Sequence, residues 1–177
     1  MAAAGISVRI LGPADAGVLD RVAAGVFDGP VVAAHRDRFL ATENHVIIVA
    51  LSHDGPDESA PESDPGSATG SNSETTGTNT GSADSDAPLV VGMATGVYYC
   101  HPDKPETLWV NEVGTGDDWR RRGIARKLMT ALFAHAKARG VVEAWLGTEN
   151  DNHAARGLYE TLEPEEEEPF ILYEFEL

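Results

Sequence analysis

Apolar and polar positions alternate as a short strand over residues 6–11, then recur at helical spacing over residues 14–27 and 31–40, with the Asp28-Gly29-Pro30 turn between the two helical stretches. Residues 46–51 and 89–100 are apolar, β-branched runs that would pair as a hairpin, and residues 108–115 continue the sheet after the turn-forming segment 101–105. From 123 to 139, Ile124, Leu128, Leu132 and His135 recur at helical spacing, and Gly140 supplies a stop. Residues 141–146 form a buried-strand candidate, and Asn150, Asp151 and Asn152 offer N-caps for a helix through residue 162. At the end Ile171, Tyr173, Phe175 and Leu177 alternate with Leu172, Glu174 and Glu176, as a strand would. No internal repeat is visible. The pattern predicts an α/β sandwich with a mixed sheet.

The hairpin is interrupted by residues 52–88, which hold eight Ser, five Gly, five Thr, four Pro and eight acids but no Lys, Arg, Val, Ile, Leu, Met or aromatic residue. Such a segment cannot bury enough apolar surface to offset its chain entropy, so it reads as a disordered acidic insertion loop within one domain spanning residues 1–177.

Charge then changes the picture. The chain carries 29 Asp plus Glu against 13 Lys plus Arg, a formal −16, and the insertion accounts for eight of those negative charges. Lysine is nearly absent, at Lys104, Lys127 and Lys137. Abundant acid with little lysine suggests a halophilic protein, because molar salt shortens the Debye length to roughly 3 Å and makes a like-charged surface tolerable. The same balance argues against a nucleic-acid binder. The longest apolar run, residues 46–51, is far below the ~20 residues that span a bilayer, and the start has no basic n-region, so a cytoplasmic protein without membrane contact is expected. A single cysteine, Cys100, excludes an internal disulfide and a cysteine-rich zinc site, and beside Tyr98 and Tyr99 it reads as a small core residue. No metal site is expected.

Against this acidic background, Arg120, Arg121, Arg122 and Arg126 fall within seven positions, where a strand passes through Gly114, Gly116 and Gly123 into a helix. The first N–H groups of a helix have no internal partner and sit at the positive end of its macrodipole, so the arrangement suits an anion such as a di- or triphosphate. A solvated basic turn is the plainer alternative. Trp119 stands where a dinucleotide-binding G-x-G-x-x-G would need glycine, and no G-x-x-x-x-G-K-[ST] loop is present.

Arg120-x-x-Gly123-x-Ala125 after an apolar strand resembles the [QR]-x-x-G-x-[GA] signature of the GCN5-related N-acetyltransferases (GNAT), and Asn152-x-x-Ala155-x-x-Leu158-Tyr159 is similar to that family's N-x-x-A-x-x-L-Y helix. The resemblance runs from about residue 6 to 177 outside the insertion. It implies an α/β fold with a mixed, mostly antiparallel central sheet flanked by helices, acetyl-coenzyme A as donor and acetyl transfer to an amine. Val113, Gly114 and Thr115 would pair with the pantetheine arm; the N–H groups of Arg121, Arg122, Gly123, Ile124, Ala125 and Arg126 would hold the pyrophosphate; Asn152 would reach the pantetheine. The Glu163-Pro164 pair stands where the family usually has Gly-Phe, a departure that bears on the last hairpin and not on the cofactor site.

An alkylamine titrates near ~10, so a base must take its proton. Glu112, at the strand end, is the candidate base or ammonium anchor, and Tyr159 the candidate acid for the departing thiolate. The Glu112 region and the Arg-rich turn resemble aminoglycoside 3-N-acetyltransferases more weakly, which implies a small-molecule amine of aminoglycoside or polyamine type. A protein N-terminal or lysine acetyltransferase acting on a peptide amine, and a non-catalytic acyl-coenzyme A sensor, are the competing readings. A second copy of the chain is a candidate partner.

Overall fold

The computed structural model describes residues 5–53 and 87–177; most of the insertion, residues 54–86, lies outside the described residues. A five-stranded sheet runs in the order β1 (Ile6–Ile10), β2 (His45–Ser52), β3 (Leu89–Tyr99), β4 (Thr107–Thr115), β5 (Ala144–Trp145). The first three pairings are antiparallel and the last is parallel. The expected mixed, mostly antiparallel sheet is therefore present. His45 to Ser52 pair with Val97 to Leu89, so the two strands that flank the insertion do form one hairpin.

Helix α1 (Ala33–Ala41) and a 3₁₀ segment (Pro13–Asp20) cover one face, with Leu19, Val26 and Leu40 packed on Ile47, Val49 and Met93. Helix α2 (Ile124–Ala138) and helix α3 (His153–Glu160) lie on the other. The period-3.6 stripe of α2 does what its sequence implies: Ile124, Leu128, Met129, Leu132 and Ala136 are all buried against Val46, Ile48, Val91 and Ala94. Each of the four larger side chains contributes roughly 1.5–3 kcal/mol on burial. Gly140, at φ +94°, ends the helical stretch in the left-handed region as expected.

Four local expectations are corrected. Residues 14–27 are not one helix: after the 3₁₀ segment the chain is irregular, because Val22 bridges to Val90 and the Ala23 N–H donates to the Val90 carbonyl, tertiary pairings that a helix would forbid. The strand expected over 141–146 shrinks to Ala144–Trp145, since it pairs with β4 only at Leu108 and Trp109 and then turns away. The alternating end does not form a strand; Ile171, Tyr173, Phe175 and Leu177 are exposed. Cys100 is exposed rather than in the core, with its thiol 3.5 Å from Glu106 Oε1 at the end of β3. Among the described residues, no helix is long and apolar enough to cross a membrane.

Candidate active site

The site begins with a one-residue irregularity. Val97, Gly96 and Thr95 of β3 pair with Trp109, Val110 and Glu112 of β4, so Asn111 is an extra residue with no partner in the ladder. Side chains alternate across a strand, and strict alternation would put Glu112 opposite Trp109, on the α2 face. The bulge reverses this. Glu112 shares the face of Thr95 and Trp109, while Val113 returns to the α2 side and packs there with Val110 and Leu108.

On its new face Glu112 lines a cleft of about 480 Å³ with Phe27, Asp28, Gly29, Pro30 and Asn111. Burial, followed by the negative charge of Asp28, pushes the Glu112 carboxyl above the usual carboxylate range. Thr95, directly across the ladder from Glu112, is 5% exposed, and its hydroxyl has no hydrogen-bond partner. Gly114, two residues on, holds the cleft wall close: a Cβ there would lie 2.0 Å from the Val26 carbonyl oxygen. Only glycine permits this approach.

The other edge of β4 is open. Trp109 and Trp145 meet edge to face at 4.4 Å, at the last paired position between β4 and β5, and beyond it Val110 to Thr115 have no strand neighbour on that side among the described residues. At the last residue of β4, Thr115 Oγ1 is buried without a partner. The chain then makes a tight turn. The Gly116 N–H donates to the Val91 carbonyl, Trp119 is buried, and the Arg122 guanidinium lies 5.1 Å over the Trp119 ring. Arg120 pairs with Asp117 at 2.7 Å. Arg121 and Gly123 take left-handed conformations, at φ +63° and +74°, and a Cβ on Gly123 would meet nothing within 4 Å.

The first ladder bond of α2 runs from the Lys127 N–H to the Gly123 carbonyl, so the N–H groups of Ile124, Ala125 and Arg126 precede the intrahelical pattern. Successive N–H groups around left-handed residues at a helix start form an anion-binding concavity. Arg121 and Arg126 are exposed beside it, whereas Arg122 is engaged with Trp119. The Ile124 side chain belongs to the core, so only its backbone faces the turn.

On α3, the Asn152 side-chain oxygen accepts from the Ala155 N–H at 3.1 Å and caps the helix. Its amide N–H groups remain as donors. Tyr159 follows seven residues later, close to the same helix face, half-buried against the α2-side cluster, and burial pushes its phenol above the ordinary value. Glu112 and Tyr159 thus belong to opposite faces of the sheet, on the two sides of the strand whose edge is open. The sequence named both. It did not reveal Asp28 as a cleft residue, Thr95, or the Asn111 bulge, although the broken alternation at Leu108, Val110 and Val113 carried the bulge's signal.

The family model described as the acetyltransferase (GNAT) family matches residues 50–163, more than half of the chain. The chain belongs to that family. It is an N-acetyltransferase, and acetyl-coenzyme A is the donor the family uses. An unpaired strand edge, an orphaned Thr115 hydroxyl and an unobstructed helix start fit such a donor, with its amide-bearing arm and pyrophosphate. Solved structures share the fold. An aminoglycoside acetyltransferase from an uncultured soil metagenomic sample, in complex with sisomicin, superposes with TM-score 0.69 at 16% identity over 97% of this chain and 96% of that one. The aminoglycoside N-acetyltransferase AAC(6')-Iy in complex with CoA gives 0.61 at 14% over 97% and 95%. A ribosomal-protein-alanine N-acetyltransferase from Brucella melitensis biovar Abortus 2308 gives 0.59 at 15% over 96% and 99%. Comparison with curated proteins finds no match.

Proposed function

We propose that this N-acetyltransferase moves the acetyl group of acetyl-coenzyme A directly onto a primary amine of a small molecule that enters the cleft at Glu112. The observation that carries the reading is the bulge at Asn111, which turns a half-buried carboxylate into that cleft beside the open edge of β4. A pocket of this size is in the range of small-molecule sites.

Backbone groups of Val113, Gly114 and Thr115 take the pantetheine as an added strand, and one N–H donates to the negative charge that develops on the thioester oxygen. The N–H groups from Arg121 to Arg126, with Arg122, Gly123, Ile124 and Ala125 between them, hold the pyrophosphate, and the exposed Arg121 and Arg126 add charge. Asn152 caps α3 with its oxygen and donates its amide N–H to the pantetheine. Glu112 accepts the proton of the incoming ammonium, directly or through water. The neutral nitrogen then bonds to the acetyl carbon as the carbon–sulfur bond breaks, Tyr159 gives its proton to the leaving sulfur, and the second proton lost by the nitrogen passes through solvent and restores the phenol. A phenol held above its ordinary value stays protonated at neutral pH, which suits a donor. Residues 1–177 act as one domain in the cytoplasm of a high-salt cell, with 52–88 as an insertion in the β2–β3 hairpin.

The test is an amine-library assay in high salt that reads free thiol from acetyl-coenzyme A. Release dependent on a small amine is expected. Release with peptides alone would favour a protein acetyltransferase, and cofactor binding without release from any acceptor would favour a sensor.

A further inference from the structure

The loop that walls the Glu112 cleft is held at its base by the turn into α2. Phe27, Asp28, Gly29 and Pro30 line the cleft and follow directly on residues 23–26, which run against the end of β4 and the turn after it. Three close approaches fix that course. The Asp117 N–H donates to the Ala24 carbonyl at 3.0 Å. A Cβ on Gly116 would lie 3.0 Å from Ala23 Cβ, and one on Gly114 would lie 2.0 Å from the Val26 carbonyl oxygen. Gly25 is the joint between the bonded Ala24 and the packed Val26, and it stands at φ +76°.

Glycine has no Cβ and visits both signs of φ, so nothing in Gly25 itself keeps the chain in this conformation. The Asp117 carboxylate supplies the missing constraint. Its Oδ1, Cγ and Oδ2 stand 2.5, 2.7 and 2.9 Å from the place a Cβ on Gly25 would take, so the carboxylate fills the space of a side chain that Gly25 lacks. Arg120 holds the carboxylate in turn: its Nη2 is 2.7 Å from Oδ1, and its Nε donates to the Thr115 carbonyl at 3.5 Å. The two side chains are 58% and 62% exposed. An ion pair so exposed adds little to stability, so its effect falls on the orientation of the carboxylate and not on folding.

We propose that Asp117 is a positioning residue for the acceptor cleft: it holds Ala24 through its backbone N–H and Gly25 through its carboxylate, and so sets where Phe27 and Asp28 stand opposite Glu112. This rests on the reading of the cleft as the acceptor site. Asp117 is not among the residues that line the cleft, so it acts through the loop. It also opens the turn that leads through Arg121 into α2, and the acceptor wall and the cofactor turn therefore take their places from one residue. A wall that shifts loosens the acceptor in the ground state and the transition state alike, which raises KM and leaves kcat in place.

The experiment measures kcat, acceptor KM, acetyl-coenzyme A Kd and Tm for the full chain, with butylamine and 1,4-diaminobutane as acceptors, in the wild type, Asp117→Ala, Asp117→Asn and the neighbouring Asp118→Ala. D117A is expected to raise the acceptor KM roughly three- to tenfold with kcat within about twofold, and to leave cofactor Kd and Tm near the wild type. D117N keeps the shape against Gly25 and an oxygen for Arg120, and is expected to bring KM back to within about twofold of the wild type. D118A, which removes the same charge one position on, is expected to match the wild type. An unchanged KM in D117A overturns the proposal. So does a loss in which Tm and cofactor affinity fall together with the acceptor, which marks a merely structural residue, or a D117N or D118A as impaired as D117A, which marks an effect of charge alone. In each of these cases acetyl transfer to small amines stands. Turnover of neither amine by the wild type overturns that reading and the proposal with it.

Discussion

Among the described glycines, the one most tightly enclosed offers the sharpest perturbation. Gly114 lies on β4 between Glu112 and the turn into α2, and a Cβ added there would sit 2.0 Å from the Val26 carbonyl oxygen, 3.0 Å from its carbon and 3.3 Å from Met93 Cε. Ordinary carbon–oxygen contacts lie at about 3.3–3.6 Å, so backbone must move by roughly 1.3 Å or more. Val26 is 1% exposed and cannot move freely, and it is joined directly to Phe27, which lines the cleft. Overpacking of this kind costs about 1–3 kcal/mol, which for a chain of this size lowers Tm by roughly 2–4 °C per kcal/mol. Gly114→Ala is therefore expected to melt about 2–12 °C lower and to raise the acceptor KM, because the displaced segment carries the cleft wall with it. Gly157→Ala is the control of opposite sign: a Cβ there meets nothing within 4 Å, and a glycine inside α3 weakens it by roughly 0.5–1 kcal/mol relative to alanine. Differential scanning fluorimetry and steady-state kinetics measure both. A Gly114→Ala protein with wild-type Tm and wild-type amine KM would refute the packing argument.

Glu112→Gln should lower kcat by ~10²–10⁴ if the carboxylate is the base. The same change should not lower stability at neutral pH. Because the folded-state value is raised, the folded protein binds more protons, and stability falls as pH rises from the ordinary carboxylate value through the raised one. Gln removes that loss, so the variant should match the wild type in acid and melt at least as high above that window, as a pH series of melts will show. Tyr159→Phe should lower kcat with little change in acetyl-coenzyme A affinity, and equal turnover would remove its role as acid. Replacing residues 53–87 by a short turn should leave melting and cofactor binding intact, since the His45–Ser52 and Leu89–Val97 register carries the hairpin; loss of either would show that the insertion is part of the fold.

Strands β2 and β3 and helix α2 were legible because each buries a periodic apolar face: β-branched runs in Val46 to Leu51 and Leu89 to Val91, and a 3.6-residue stripe in α2. Residues 14–27 misled because their apolar spacing is satisfied by pairing Val22 and Ala23 with Val90, a long-range contact that local periodicity cannot anticipate. Cys100 misled because the buried alternation of β3 ends at Tyr98. In the site, the turn from Arg120 to Arg126 was readable from glycine and charge placed before a helix. The acceptor side was not. Asp28 stands 84 positions from Glu112 and reaches its cleft only through the packing of Val26 onto Gly114.

If the open edge of β4 and the start of α2 hold acetyl-coenzyme A, thermal melting with and without that compound in high salt will show it. A ligand that binds only the folded state at 100 times its Kd stabilises by about 2.7 kcal/mol, which is roughly 5–11 °C for a chain of this size. Such an upward shift is expected, diminished in a double Arg121→Ala, Arg126→Ala variant that removes two exposed cations beside the turn. No shift at any acetyl-coenzyme A concentration would contradict it.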